Sequence, residues 1–415
     1  MSTLVETVTE EPTLALAHHL ADLSRKPEEQ SALVDNPEAT RFIGRTESLF
    51  SEENWVELVA HLLGATDALF EKELSDKDVE GAFTIIANLV SKSSSRQDQL
   101  SSAEAIAAKL SAKPTDRPAL RLRLLFFVYN QLKHPYGRYA VYVKALEVAR
   151  DGKAPEQVIP TLRKLDALIK EWAIGGKEQR GLFLLATQIL REGKTKDSKK
   201  DAFAFLVKYL ATFSKDEASA PEAKEGAIRA AVDYIKTPDA FQSDLLDLAP
   251  VQALETDTEH APVYELLTIF LLKTVEAYIG WEKKHGALLQ KLGLSHEDNL
   301  TKSRLLSLSA LGAQTSSGEI SYKQVEETLL IEEDDVELWI VRAIAAKVLE
   351  AKLDQLRQVV VINRTTQRVF GPPQWKELQT RLASWQQNLE HVSAVLHRAR
   401  ASGQVIPNGV QEAVH

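Results

Sequence analysis

The sequence predicts a mostly α-helical protein: a solenoid of helix pairs, then a winged-helix module, then one long C-terminal helix. Three observations carry that expectation. Apolar residues recur at helical spacing from about Ser51 to Lys284, with no convincing strand among them. After Leu292-Gly293-Leu294 the pattern changes to three shorter helical stretches and a β-branched run, Val359-Val360-Val361-Ile362. The chain then closes on Trp375, Leu378, Leu382, Trp385, Leu389, Val392, Leu396 and Ala399, whose steps alternate three and four in a heptad seam.

The elements follow in order. Residues 1–50 are expected to be an acidic, partly ordered segment with one amphipathic helix, Leu14 to Leu23. The helical-repeat array runs over 51–294. Ser51 is placed to cap a helix carrying Trp55, Leu58, Val59, Leu62 and Leu63. Later helices are expected at Val79–Val90, Ser102–Leu110, Leu120–Leu132, Tyr136–Ala149, Val158–Trp172, Glu178–Leu190, Ala202–Phe213, Glu222–Ile235, Phe241–Leu248 and Val263–Lys284. Pro118, His134-Pro135, Gly152, Gly193 and Pro238 punctuate them. The helix around Leu120 to Leu132 is apolar around most of its circumference, which places it in a core.

Residues 295–371 read as the winged helix: helices at Ser295–Ala313, Tyr322–Leu330 and Val336–Val348, with Ile320 supplying a short strand. The wing is read as Val359–Ile362, a polar turn at Asn363-Arg364-Thr365-Thr366, and a second extended run to Phe370. Gly371-Pro372-Pro373 stops the extended chain. Residues 372–401 form the terminal helix, and 402–415 are expected to be a flexible tail.

Composition narrows the function classes. The chain has 415 residues, 44% of them hydrophobic and 26% charged, which suits two or three soluble globular domains. It contains no cysteine, so disulfides and thiolate metal sites are excluded. The net charge of −9 argues against a surface built throughout for nucleic acid. The first residues lack a basic and apolar leader, and Glu265, Lys273 and Glu276 interrupt the most apolar helix. A cytoplasmic protein without a membrane contact is expected.

Catalytic motifs are wanting. Gly193-Lys194-Thr195 resembles the end of a phosphate loop, but Gln188 stands where its first glycine belongs, and a helix precedes it. His296-Glu297 lacks the second histidine of a zinc-protease helix, because Leu300 occupies that place. No serine sits in a nucleophile elbow. The expectation is a protein without enzyme activity, metal or cofactor.

Several segments resemble a known family. They are Arg121–Tyr142, Pro238–Leu254, Leu266–Leu272, Leu292–Leu306, Gly318–Tyr322, Ile331–Ile344 and Val359–Leu389. The chain is similar over these to the subunit m family of eukaryotic translation initiation factor three, a PCI-domain family. The resemblance implies a non-catalytic scaffold subunit. Its partners would be other PCI- and MPN-type subunits of that complex and, through the complex, the small ribosomal subunit. Support for the binding of mRNA and initiator tRNA there is implied in the same way. A signalosome or proteasome-lid scaffold is the alternative within the same architecture.

Three groups of residues are the candidates for function. The seam Trp375, Leu378, Leu382, Trp385, Leu389, Val392 and Leu396 lies on a helix of roughly 29 residues, about 43 Å long. A winged helix covers only its first turns, so the rest of the stripe is expected to join a bundle of helices from other chains; folding back on its own array is the competing reading. Val359, Val360, Val361 and Ile362 are expected at a sheet edge that pairs with a neighbour. Arg364 and Arg368, in the basic stretch Lys352–Arg400, are the candidates for direct RNA contact; a solvated face balancing an acidic chain is the preferred alternative. Glu332-Glu333-Asp334-Asp335 opens the third helix of the module and opposes DNA phosphates there, so DNA binding is not expected.

Overall fold

The computed structural model describes residues 11–24, 37–71, 74–193, 196–315, 318–369 and 371–401. The expected tail over 402–415 and Phe370 lie outside them. The chain divides into two compact units, Met1–Ser214 and Lys215–His415.

In the first unit every described element is helical. They are α1 (Pro12–Leu23), α2 (Pro37–Ser51), α3 (Trp55–Ala65), α4 (Asp67–Glu71), α5 (Asp76–Lys92), α6 (Arg96–Ser111), α7 (Pro118–Gln131), α8 (Pro135–Asp151), α9 (Ile159–Leu162), α10 (Leu165–Trp172), α11 (Gly176–Glu192) and α12 (Lys196–Ala211). The starts are set locally. Prolines open α1, α2, α7 and α8, where a missing N–H costs nothing. Asn54, Ser75 and Ser95 accept the backbone N–H groups of Glu57, Asp78 and Asp98. Ser51 does not cap: it ends α2, and its hydroxyl donates to the Glu47 carbonyl. The expected single helix over Val158–Trp172 is broken, since Arg163 and Lys164 turn the chain between α9 and α10.

Packing passes along the chain in pairs. Helix α3 meets α5 and α6, α5 meets α7, α6 meets α8, α8 meets α11, and α11 meets α12. This succession is that of a helix-pair array. Leu58, Leu62, Phe83, Ile86, Leu125, Leu146, Ile189 and Leu210 fill its interior at no more than 1% exposure, so each contributes about 2 kcal/mol of burial. Arg121 is buried with them. Its guanidinium donates to the Leu110 and Asp116 carbonyls and to the Asp116 carboxylate, and lies 4.0 Å from the Phe70 ring centre.

The second unit holds α13 (Pro221–Lys236), α14 (Ala249–Gln252), α15 (Ala261–Leu272), α16 (Val275–Lys291), α17 (His296–Gln314), β1 (Glu319–Ser321), α18 (Tyr322–Leu329), α19 (Val336–Ala345), β2 (Leu349–Asp354), β3 (Val359–Thr365) and α20 (Pro372–Ala401). Two expected helices change. Phe241–Leu248 forms only a 3-10 turn at Leu245–Asp247. Val263–Lys284 is interrupted at Lys273, whose extended backbone separates α15 from α16.

Helices α17, α18 and α19 with the three strands make the winged helix. Ser295 caps α17, and Ser321 with Gln324 forms a full capping box on α18. The sheet is antiparallel with order β1-β3-β2. This corrects the wing. The hairpin is β2–β3, turning at Gln355–Gln358, and Asn363–Thr365 belongs to β3. The turn has no Gly, Pro or Asn to signal it. Gln358 takes φ 50°, and Asp354 accepts the Arg357 N–H instead.

Helix α17 packs beneath β3 across Gly312. A Cβ there would lie 3.1 Å from Ile362 Cδ1 and 3.2 Å from Leu349 Cδ1. Gly312→Leu is therefore expected to destabilise the second unit by about 2 kcal/mol, read as a lower denaturation midpoint.

Long cations tie the winged helix to the helices before it. Lys302 of α17 is 3% exposed. Its ammonium donates to the carbonyls of Tyr234, Ile235 and Thr237 (2.7 Å to the last), which closes the C-terminus of α13. Burial pulls Lys302 down to about 7 from 10.5, against the opposing charge of Asp239.

Candidate assembly surface

Helix α20 is 30 residues long, about 45 Å. Pro372 opens it, and the Gly371 N–H donates to Gln374 Oε1 at 3.1 Å. The seam residues stand out from it: Leu378 is 38% exposed, Leu396 46%, Trp385 67% and Leu389 70%, with Trp375, Leu382 and Val392 between 52% and 61%. Val395, at 48%, widens the stripe near its end and falls outside the strict heptad reading. The charge on the rest of the helix is sparse. Between Arg381 and Arg398 the only Asp, Glu, Lys or Arg is Glu390. A long apolar stripe on such a helix costs free energy in water and is stabilised against another helix.

The other candidates are placed differently from expectation. Val359–Ile362 are not at an edge. They lie on β3, the central strand, bonded to β1 on one side and β2 on the other, and Val360 is fully buried. Their backbone groups are already used within the sheet, so strand addition through them is ruled out. The margins are β1 and β2. The longer, β2, carries exposed Glu350 and Lys352 and a bulge between Glu350 and Ala351, which are the usual protections of an edge.

Arg368 is not on the surface either. It is 8% exposed, and its guanidinium donates to the carbonyls of Phe270 (3.4 Å) and Lys273 (2.6 Å), closing the C-terminus of α15. Its own backbone carbonyl accepts the Ser243 N–H. Burial lowers its pKa to about 10, opposed by Tyr234. Arg364 does face solvent: its side chain is 78% exposed, 3.8 Å from Glu350. The two arginines are thus split, one buried and structural, the other exposed on the wing. Leu356, at the wing tip, is fully exposed, and nothing in the residues around it singles it out in the sequence.

Among the described residues no group of three His, Asp or Glu is arranged to hold a metal ion, and no helix is long and apolar enough to cross a membrane.

Stacked helices leading into an α-β-α-α-β-β winged helix define a PCI-type protein, and residues 283–364 match the family model described as PCI domain. Residues 368–396 match a second model, "eIF3 subunit M, C-terminal helix". Curated relatives agree. The chain is 32% identical over 360 residues to eukaryotic translation initiation factor 3 subunit M of Dictyostelium discoideum, covering 85% of this chain and 88% of the relative. It is 31% identical over 338 residues to the protein of that name in Mus musculus (80% and 86% covered). Against the one in Phaeosphaeria nodorum it is 29% identical over 402 residues (95% and 88% covered). The chain belongs to the family of eukaryotic translation initiation factor 3 subunit M.

Proposed function

We propose that this chain is a non-catalytic scaffold subunit of the eukaryotic translation initiation factor 3 complex, acting in the cytoplasm by assembly. The observation that carries this is α20: an exposed apolar seam on a helix that itself matches a subunit-specific family model. The helix inserts into a bundle with sister subunits, and the winged helix is positioned beside neighbouring winged helices. Edge pairing, where it occurs, falls to β2 and not to Val359–Ile362. Other PCI- and MPN-type subunits are the partners, and the small ribosomal subunit is reached through the complex. Support for mRNA and initiator-tRNA binding belongs to the complex as a whole. The relatives' names favour this complex over the signalosome or the proteasome lid. Mass spectrometry of proteins co-purifying with the tagged chain is expected to return initiation-factor subunits; recovery of signalosome or lid subunits instead would overturn the assignment.

One observation keeps a second reading, direct RNA contact: Arg364 is exposed on the wing. The isolated chain's affinity for a single-stranded RNA is expected to be weak, falling steeply with salt, and reduced by Arg364→Ala. Filter binding at low and moderate salt measures it. Unchanged binding in Arg364→Ala removes the wing from that role. Arg368→Ala is not a test of RNA contact, because Arg368 is buried and its loss acts on stability.

A further inference from the structure

Helix α19 is apolar on two opposite sides. Its inner side, Val336, Trp339, Ile340 and Ala343, is buried, none of them more than 5% exposed. Its outer side carries Leu338 (47% exposed) and Val341 (54%), with Ala345 one turn on and Ile344 (36%) at the flank. At 100° per residue, Leu338, Val341 and Ala345 fall within one narrow stripe opposite the buried one. Trp339 holds the helix in place: the Arg304 and Arg342 guanidinium groups lie 5.1 and 4.9 Å from its ring centre, and Arg304 also donates to the Leu329 and Leu330 carbonyls. The outer stripe is therefore presented on a fixed element and not on a yielding loop.

Its charges are sorted by end. Glu332, Glu333, Asp334 and Asp335 are all exposed immediately before the helix. Among the described residues none of the four forms an ion pair; the Glu333 carboxylate accepts the Gln358 amide. Exposed Arg342 and Lys347 lie toward the other end, likewise outside any ion pair. In a winged helix that reads nucleic acid, this helix faces phosphates and needs cations along its outer side. Here that side is Leu, Val and Ala, with carboxylates at its start.

We propose that the outer face of α19 is a second docking surface, which takes one short amphipathic helix of a partner protein. Leu338, Val341 and Ala345 receive the partner's apolar stripe. The partner's basic end lies against Glu332–Asp335, and its acidic end lies toward Arg342 and Lys347. The 10 residues of α19 span about 15 Å, which accommodates some three turns of a facing helix. The proposal rests on the reading of the chain as a complex subunit, and it adds a contact separate from α20.

The test places a photo-crosslinking amino acid at Leu338 or Val341, and separately at Trp385, in the full chain assembled in its complex. Linked peptides are read by mass spectrometry. Crosslinks from Leu338 and Val341 are expected on a helical segment of another protein, with Lys or Arg at the end next to Glu332–Asp335. Glu332→Lys with Asp334→Lys is expected to lower the yield of that crosslink about tenfold at low salt, and less at high salt. Both residues are exposed, so the fold is retained; an unchanged circular dichroism spectrum verifies this. Crosslinks to RNA, to a second copy of the chain, or to an acidic segment overturn the proposal. So does a crosslink from Trp385 with none from Leu338 or Val341. If Trp385 also fails to crosslink, the scaffold reading falls with it.

Discussion

Lys302→Met is expected to cost about 3 kcal/mol of stability, and Arg368→Met a similar amount. Each removes a buried basic group that donates to the carbonyls at a helix end: Lys302 to those of Tyr234, Ile235 and Thr237, Arg368 to those of Phe270 and Lys273. The methionine fills most of the volume but leaves the carbonyls without a donor in a region that excludes water. Removing one partner of a buried hydrogen bond is the costly direction, since the other is left desolvated. Urea denaturation of the two variants measures the loss. Midpoints equal to the unaltered chain would show that water already reaches these carbonyls.

Lys302 also sets a pH dependence of definite sign. Its folded value is about 7, and its free value is 10.5. Between those values the unfolded chain holds the proton and the folded chain does not. Unfolding free energy attributable to this group therefore rises with pH across that window and is constant below it. The stability difference between the unaltered chain and Lys302→Met is expected to widen from pH 7 to pH 9.5. A difference that narrows over that range contradicts the assignment.

The second large effect concerns binding. Trp385→Asp with Leu389→Asp is expected to release the chain from its complex while changing its own stability by less than about 1 kcal/mol. The two side chains are 67% and 70% exposed, so the isolated chain loses almost no packing. In a bundle each becomes a buried apolar anchor, and a carboxylate in its place must be desolvated. Central anchors of this type contribute about 2 kcal/mol or more each, so the pair weakens association on the order of a thousandfold. Size-exclusion chromatography of the reconstituted complex separates bound from released chain. The unbound variant is also expected to aggregate less, because the stripe is interrupted.

Much of this architecture was legible because helices announce themselves locally. Alternating three- and four-residue spacing is preserved along α20 whatever surrounds it, so the seam could be read from Trp375 to Leu396 before any packing was known. The three helices of the winged module and the strand at Ile320 were equally readable. What escaped depends on contacts far apart in sequence. The β2 strand, Leu-Glu-Ala-Lys-Leu-Asp, has no β-branched residue and continues a helical-looking stretch; only pairing with β3 makes it extended. For the same reason Val359–Ile362 looked like an edge. A β-branched run shows that a strand exists, but not how many neighbours it has.

Arg368 shows the limit for single residues. A basic side chain after a strand reads as a wing contact, and nothing near it in sequence tells of the Phe270 and Lys273 carbonyls nearly a hundred residues earlier. Lys302 escaped similarly, as one polar residue on a helix whose mate lies at the end of α13. The outer face of α19 was half visible. Leu338 and Val341 lie in an apolar stretch, and only the winged-helix packing decides which side of that stretch is left outward.

If α20 is the chain's own contribution to a shared assembly, a chain ending at Gly371 shows it when expressed with the partner subunits and purified through one of them. The truncated chain is expected to be folded and soluble but lost from the purified complex. Recovery of the truncated chain at full stoichiometry would contradict it.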